Sequence, residues 1–184
     1  MKTIFITGAT SGIGKATAEI FAKQGHRLII CGRRKEVLEA LQIQLSNITE
    51  VYSLVFDVRN QQEVQNAINS LPEDWKNIDV LVNNAGNAHG LEPISDANIS
   101  DWDAMMDGNV KGLLYVSQPI IKIMKARNSG HIVNISSVAA RQTYANGTVY
   151  CASKKAVDVI SEGMRLELTE FGIKVTNVQP GAVE

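Results

Sequence analysis

Tyr150 and Lys154 stand four residues apart in the stretch NGTVYCASKKAVDVI, where the spacing of the apolar residues predicts a helix. Side chains four positions apart lie on the same face of a helix, so the ammonium can approach the phenol or a ligand that both contact. A cation at that distance favours the ionised form of a phenol. The pair is therefore a candidate for carrying a proton to or from a bound molecule, the alternative being an ordinary surface pair.

A glycine-rich turn, TGATSGIG, follows the first apolar run of the chain. Gly8, Gly12 and Gly14 permit positive φ and close approach of the backbone to a ligand. The helix that begins near Ile13 offers free N–H groups and a positive dipole end for a pyrophosphate. The turn is a candidate dinucleotide site, although its G-x-x-x-G-x-G spacing departs from the commoner G-x-G-x-x-G fingerprint. The alternative is a turn that merely connects a strand to a helix.

The end of the second apolar run, IICGRR, bears on which nucleotide is bound. Sites for NAD place an acidic residue at this point, about 20 residues after the glycine turn. Here Gly32 takes that place, and Arg33 and Arg34 follow it. Guanidinium groups pair with a 2′-phosphate that a carboxylate would repel, so the pattern favours NADP. The alternative is that RRKE is a solvated entrance to a helix.

Short apolar runs alternate with longer segments of helical period, which is typical of βαβ units and a parallel sheet. Strands are expected at about 2–7, 27–31, 51–56, 79–83, 130–136 and 173–179. Helices are expected at about 13–24, 35–46, 60–71, 99–127 and 148–171. Runs such as IFIT, RLII and IDVLV are nearly continuous, so helices should cover both faces of the sheet. The pattern predicts one doubly wound α/β domain over residues 1–184, whose irregular segment 87–97 follows a strand's carboxyl end, where ligands bind.

Composition and charge argue against several classes of partner. A net charge of −1 and a pI near 6.3 give no basic surplus for nucleic acid or an anionic membrane. No apolar stretch reaches membrane-spanning length, and the N-terminal apolar patch is too short for a signal peptide. Cys31 and Cys151 lack disulfide or zinc spacing, and His26, His89 and His131 share no ligand spacing. We therefore expect a cytoplasmic protein with no metal.

The chain stops at VQPGAVE, directly after the sixth apolar run. A sheet of this kind is normally closed by another crossover. We therefore expect a C-terminal portion beyond residue 184 to be missing or disordered.

Three further motifs are NNAG at 83–86, NISS at 134–137 and YCASK at 150–154. Taken with the two stretches above, the chain resembles the short-chain dehydrogenase/reductase family from residue 3 to its end. The TGxxxGxG turn resembles the shorter-chain branch rather than the extended epimerases and dehydratases. The resemblance implies a Rossmann fold with strand order 3-2-1-4-5-6 and an oxidoreductase acting on alcohols or carbonyls. The stretch LPEDWKNIDVLVNNAGNAHGLEP is similar to the NADP-dependent 3-hydroxy acid dehydrogenases, which oxidise serine, L-allo-threonine and related acids.

The resemblance also implies a role for each catalytic residue. Tyr150 would be the acid/base, and Lys154 would also hydrogen-bond the nicotinamide ribose. Ser137, rather than Ser136, would steady the substrate oxygen. Asn109 would hold a water in the proton relay to the lysine. The alternatives are a serine that bonds only backbone and an asparagine that marks a helix kink.

For the cofactor, the resemblance implies that Asp57 binds the adenine amino group and Val58 offers backbone contacts. Asn83, Ala85 and Gly86 would line the adenine ribose side and support the sheet. The full cofactor-binding set predicted is Gly8, Thr10, Ser11, Gly12, Ile13, Gly14, Arg33, Arg34, Asp57, Val58, Asn84, Ala85, Gly86, Tyr150, Lys154, Pro180, Gly181 and Val183. Pro180 and Gly181 match the family turn beneath the nicotinamide.

Two other functions stay open at this point, a 3-oxoacyl or broad-specificity carbonyl reductase and a catalytically idle nucleotide-binding regulatory protein. The family resemblance also implies a homodimer or homotetramer that assembles through the helices near 99–127 and 148–171. These helices carry more apolar residues than one packed face needs, which favours such an assembly: Leu113, Leu114, Val116 and Ile120.

Overall fold

A computed structural model describes residues 1–182 of the chain. Six parallel strands form one sheet in the order β3-β2-β1-β4-β5-β6, which confirms the predicted Rossmann topology. The strands are β1 Thr3–Thr7, β2 Arg27–Gly32, β3 Val51–Val55, β4 Val80–Asn83, β5 Gly130–Ile135 and β6 Ile173–Val178. Every residue of β1 and β4 is buried, as expected for strands covered on both faces.

Helices connect the strands and cover the sheet on both sides. They are α1 Gly12–Lys23, α2 Lys35–Ser46, α3 Gln61–Asn69, α4 Ile99–Met106, α5 Gly112–Arg127 and α6 Thr148–Leu168. Side chains of α1 and α2 form one apolar cluster with one face of the sheet. Side chains of α3, α5 and α6 form a second cluster with the opposite face. All carboxyl ends of the strands therefore meet at one edge, where connecting loops can build a site.

The helix predicted over 99–127 differs from the structure in one respect. Between α4 and α5 the backbone stays right-handed helical but widens into a π-helical segment, Asp107–Lys111. Such a segment often occurs at a functional site, because one extra residue in a turn redirects the side chains around it. Apolar spacing alone does not reveal it. The last helix likewise ends at Leu168 and continues as a 3₁₀ turn, Thr169–Phe171.

The apolar residues of α5 proposed as surplus require a correction. Leu113, Val116 and Ile120 are buried in the core against the sheet. Leu114 is 41% exposed. Three of the four side chains therefore pack the interior and are not available to a partner.

Among the described residues, none of the helices combines the length and apolar character that a bilayer crossing needs. Cys31 and Cys151 are both buried and free.

Candidate active site

The turn between β1 and α1 has the backbone conformation that its glycines permit. Gly8 and Gly12 adopt φ values of 65° and 52°. A Cβ on Gly14 would lie 2.3 Å from the Gly8 carbonyl oxygen. The amide of Asn84, after β4, donates to the carbonyls of Thr7 and Gly8 at 2.9 and 3.1 Å. The turn is therefore tight and fixed to the neighbouring strand.

The N-terminus of α1 is suited to an anion. Ser11 occupies the N-cap position but makes no side-chain cap hydrogen bond, and the first turn contains no acidic residue. The first N–H groups and the positive end of the helix dipole therefore keep their capacity to bind phosphate.

A crevice of about 780 Å³ runs along the carboxyl ends of the strands, a volume typical of sites for small molecules and cofactors. Sixteen of the predicted site residues line it: Gly8, Thr10, Ser11, Ile13, Arg33, Arg34, Asp57, Val58, Asn84, Ala85, Gly86, Ser137, Tyr150, Lys154, Pro180 and Gly181. Gly12, Gly14 and Asn109 are not among the lining residues, and Val183 lies outside the described residues. The glycine turn, the arginine pair and the tyrosine–lysine pair thus share one crevice.

Arg34 closes over the glycine turn. Its guanidinium donates to Thr10 Oγ1 at 2.8 Å and to Ser11 Oγ at 3.1 Å. A Cβ on Gly32 would lie 2.8 Å from Thr10 Cγ2, so the end of β2 passes close to the turn. Arg34 therefore lies at the glycine-turn end of the crevice, and Arg33 Nη1 lies 3.6 Å from Asp57 Oδ2.

Asp57 is engaged by Arg59, a residue that sequence reasoning missed. The backbone N–H of Arg59 donates to Asp57 Oδ1 at 3.0 Å, and its Nη2 donates to Oδ2 at 2.6 Å. Burial acts to raise the pKa of Asp57, but the hydrogen bonds from Arg59 and the charges of Arg59 and Arg33 outweigh it and lower the pKa. The carboxylate predicted to face adenine is thus held between two cations.

Tyr150 and Lys154 lie on the first turns of α6, facing the crevice. Lys154 Nζ lies 5.9 Å from the centroid of the Tyr150 ring and donates to the carbonyl of Ile135 at 3.0 Å. The lysine is 7% exposed, and burial lowers its pKa to about 8. It therefore still carries its charge at neutral pH.

The two serines after β5 have different environments. Ser137 Oγ accepts from the N–H of Ala139 at 3.1 Å and begins the 3₁₀ turn Val138–Ala140. That bond leaves the hydroxyl hydrogen of Ser137 available to a ligand. The Ser136 hydroxyl instead donates to Asp158 Oδ1 at 2.7 Å. Ser137 is thus the better placed of the two to hydrogen-bond a substrate oxygen.

Asn109 lies in the π-helical segment and is buried. Its Oδ1 accepts from the backbone N–H of Asn87 at 2.8 Å, and its Nδ2 donates to the Asn87 carbonyl at 2.9 Å. Nδ2 also donates to Ser153 Oγ at 3.0 Å, next to Lys154. Asn109 therefore ties the loop after β4 to α6. The helix irregularity given as the alternative for Asn109 is present, and its relay role stays a prediction.

Asn83 differs from the expectation that it lines the ribose side. Its Nδ2 donates to Ser117 Oγ and to Asn134 Oδ1, both at 2.9 Å. Asn134 in turn donates to Ser161 Oγ at 2.8 Å. Asn83 is buried within the sheet, and Asn84 faces the crevice in its place.

The histidines lie apart from the crevice lining. His26 packs against Phe21, and His131 hydrogen-bonds Thr176 at 2.8 Å. His89 contributes to a second, small cavity of about 10 Å³ that Tyr150 also lines. Among residues 1–182, no group of three or more His, Cys, Asp or Glu side chains is arranged to hold a metal ion.

Comparison with known proteins gives a consistent result. The profile of a family described as short chain dehydrogenase matches residues 2–184. The NADP-dependent 3-hydroxy acid dehydrogenase YdfG of Escherichia coli K12 is 42% identical over 180 residues, covering 98% of this chain and 72% of that protein. Serine 3-dehydrogenase of Rhizobium radiobacter is 41% identical over 182 residues, covering 99% of this chain and 72% of that protein.

Solved structures agree with the sequence relatives. The closed form of a serine dehydrogenase complexed with NADP+ superimposes with a TM-score of 0.94 at 42% identity, covering 99% of this chain and 73% of that one. Serine dehydrogenase from Escherichia coli gives a TM-score of 0.92 at 41% identity, covering 97% of this chain and 82% of that one.

Proposed function

The chain belongs to the short-chain dehydrogenase family, and from this premise we propose that it transfers a hydride between NADP and a small 3-hydroxy acid such as serine or L-allo-threonine. The reaction class is that of an NADP-dependent oxidoreductase acting on hydroxyl groups. The choice of a small 3-hydroxy acid as the substrate is the part that we propose beyond this reaction class. The observation that carries the proposal is that Tyr150, Lys154 and Ser137 line the same crevice as the glycine-rich turn between β1 and α1.

The crevice fits NADP on its own geometry. The uncapped N-terminus of α1 and the positive φ of Gly8 suit the pyrophosphate. Arg33 and Arg34 suit a 2′-phosphate, because guanidinium groups form charge-assisted hydrogen bonds with phosphate oxygens. When bound, NADP accepts the hydride that leaves the alcohol carbon.

The protein's own residues manage the proton and the substrate oxygen. Tyr150, as a phenolate, takes the proton of the alcohol, and as a phenol it returns one in the reverse direction. The Lys154 ammonium favours the phenolate by its charge. The Ser137 hydroxyl donates a hydrogen bond to the oxygen and stabilises the charge that develops there. These roles remain proposals for the three residues.

The space beside Tyr150 supports a small substrate. The loop that contains Gly90 and Leu91 packs against Trp102 of α4 and the first turn of α6, leaving a cavity of about 10 Å³. That volume holds about one water molecule. A substituent much larger than a water molecule on this side of the tyrosine would therefore have to displace the loop, which favours a small substrate.

One observation favours a second candidate, a carbonyl reductase for substrates with an apolar chain. Leu91 and Ile94 are exposed large apolar side chains on the same loop. They could contact an acyl chain that extends away from Tyr150.

A substrate panel tests the proposal. NADP reduction is measured with L-serine, L-allo-threonine and 3-hydroxyisobutyrate, and NADPH oxidation with 3-oxoacyl thioesters. We expect the highest kcat/KM for one of the hydroxy acids. A higher value for the thioesters would replace the proposed substrate with the second candidate.

Tyr150→Phe tests the proposed acid/base. Loss of the proton carrier should lower kcat by about 10²- to 10⁴-fold. Tyr52→Phe is the matched control, because Tyr52 packs against Trp75 away from the crevice. Equal rates for Tyr150→Phe and the wild type would exclude the assigned role.

A further inference from the structure

Asp158 lies one helical turn after Lys154 on α6, and three side chains from other elements donate to its carboxylate. Ser136 Oγ donates to Oδ1 at 2.7 Å. Asn177 Nδ2 also donates to Oδ1 at 2.7 Å, and Gln179 Nε2 donates to Oδ2 at 2.7 Å. The donors stand at the ends of β5 and β6, so one carboxylate joins two strand ends to the helix that carries Tyr150.

The carboxylate is ionised when it receives these bonds. Burial acts to raise the pKa of Asp158, but the hydrogen bonds from Ser136, Asn177 and Gln179, with the charge of Lys155, outweigh it and lower the pKa. Hydrogen bonds to a charged acceptor are shorter and roughly twice as strong as those between neutral groups. This junction of α6 with the ends of β5 and β6 is therefore more stable than one made by three hydrogen bonds between neutral groups.

Two of the three donors, Ser136 and Gln179, directly precede residues that line the crevice, and Ser136 lines it as well. Ser136 precedes Ser137, and Gln179 precedes Pro180. The two strand ends are also bonded to each other, through Ser136 N to Val178 O at 2.8 Å and Val138 N to Pro180 O at 3.0 Å. A shift of the Asp158 carboxylate would thus move both Ser137 and the turn at Pro180.

The lysine reaches the same loop from the helix side. Lys154 Nζ donates to the carbonyl of Ile135, the last residue of β5. The distance between Lys154 Nζ and Ser137 therefore depends on the position of β5 relative to α6. The hydrogen bonds to the Asp158 carboxylate fix that position.

We propose that Asp158 is a positioning residue for the hydride-transfer step, holding Ser137 and the Pro180 turn in register with Tyr150 and Lys154. This inference rests on the proposed function. Asp158 does not line the crevice and acts through Ser136 and Gln179. Displacing a reacting group by about 1 Å can slow a reaction about 100-fold, so a fixed junction has a direct effect on rate.

Asp158→Leu, Asp158→Asn and the control Glu162→Leu test the inference. Glu162 is an exposed carboxylate one turn further along α6. Asp158→Leu should lower kcat about 10- to 100-fold while changing the KM for NADP less than about threefold. Asp158→Asn should recover most of the loss, since its Oδ1 can still accept from Ser136 and Asn177. Glu162→Leu should behave as the wild type.

A smaller folded fraction would also lower the apparent kcat without changing KM. Each rate is therefore expressed per NADPH-binding site, titrated on the same sample. If the wild type is active and Asp158→Leu matches Glu162→Leu in kcat, the inference is wrong.

Amide hydrogen exchange gives a second readout that does not depend on turnover. In Asp158→Leu the amides of Ser136, Val138 and Ala139 should exchange at least about tenfold faster than in Glu162→Leu, with β1 unchanged. Absence of this acceleration would overturn the inference. Acceleration in a protein inactive toward every substrate would instead support the junction and reject the proposed function.

Discussion

Lys154 combines burial with charge, two properties that oppose each other in a folded protein. The side chain is 7% exposed, and its ammonium donates to one backbone carbonyl in the hydrogen bonds described above. Burial penalises the charged form, which is why its pKa lies near 8 instead of 10.5. The same charge is what a phenolate at Tyr150 requires. The site therefore keeps a cation whose presence weakens the fold.

This conflict predicts an unusual dependence of stability on pH. Below about pH 8 the lysine is protonated in both the folded and the unfolded chain, so the penalty is fully present. Between about pH 8 and 10.5 the folded chain loses the proton first, and the unfolded chain binds more protons, so stability rises with pH. The full effect is of the order of 3 kcal/mol, taking about 1.4 kcal/mol for each pKa unit.

Urea unfolding of the wild type and Lys154→Met at several pH values measures this effect. The free energy of unfolding of the wild type should rise relative to that of the variant from pH 8 to pH 10. Lys122→Met, at an exposed lysine of α5, should show no such difference. If the difference in free energy of unfolding between the wild type and Lys154→Met did not change with pH, the prediction would be wrong.

The arginine pair should determine the choice of cofactor. Arg33→Ala and Arg34→Ala should each raise the KM for NADP about 10- to 100-fold, because a hydrogen bond to a charged group contributes about 1.5–3 kcal/mol. The KM for NAD should change much less, since NAD lacks the 2′-phosphate. Lys35→Ala is the matched control, because Lys35 is exposed and pairs only loosely with Glu39 at 3.8 Å. Equal effects on both cofactors would assign the arginines to another role.

At the scale of the element, the turn between β1 and α1 is the most restrictive piece of backbone in the site. A methyl group on Gly14 would lie 2.3 Å from the Gly8 carbonyl oxygen and 2.4 Å from Asn84 Nδ2. Neither neighbour can retreat, since the carbonyl belongs to the turn and the amide is bonded to it. The glycine is thus required by packing, although it does not itself line the crevice.

Gly14→Ala and Gly163→Ala form a matched pair of glycine substitutions. Gly14→Ala should lower the free energy of unfolding by about 1–3 kcal/mol and abolish measurable NADPH binding, since the turn must open. Gly163 lies inside α6 with nothing within 4 Å of a Cβ, so Gly163→Ala should raise it by about 0.5–1 kcal/mol. Denaturant unfolding and NADPH titration measure both. Normal NADPH affinity in Gly14→Ala would show that the turn adapts.

Much of the element structure follows from sequence because the strands are nearly continuous apolar runs. IFIT and RLII occur where β1 and β2 lie, and helix α2 coincides with the predicted 35–46. The π-helical segment at Asp107–Lys111 was anticipated only by the alternative that Asn109 marks a kink, because the contacts that accompany it are tertiary. Asn109 exchanges hydrogen bonds with the backbone of Asn87, which lies 22 positions earlier in the chain.

The site shows the same division between local and tertiary causes. Tyr150 and Lys154 could be placed together from their spacing alone. Arg59 was missed, although it stands two residues after Asp57, because sequence proximity alone does not show which carboxylate an arginine will bind. Asp158 was missed because its three partners come from β5 and β6.

At the scale of the whole molecule, α6 offers a surface for self-association. Val159 and Leu166 are 60% and 79% exposed and lie seven positions apart, on one face of the helix. Since most of the apolar residues cited on α5 are core, this face of α6 is the stronger basis for the homodimer or homotetramer that we propose.

Light scattering tests the assembly. The wild type should have a mass that is a multiple of the 20.0 kDa chain. The double variant Val159→Lys with Leu166→Lys should shift toward a single chain. Ile43→Lys, at a 71% exposed position on α2, is the control and should leave the mass unchanged. A wild type with the mass of one chain at every concentration would reject the assembly.

The buried contact between Asn83 and Asn134 also bears on how the sheet assembles. The two residues are partners across β4 and β5, and they bond to Ser117 of α5 and Ser161 of α6. Sliding one apolar strand past the other by two residues would keep every side chain on its original face, so hydrophobic contact discriminates poorly against that error. The misaligned amides would be buried without partners, at a cost of about 1–3 kcal/mol each. The asparagines therefore favour the correct alignment of β4 with β5 while the sheet assembles.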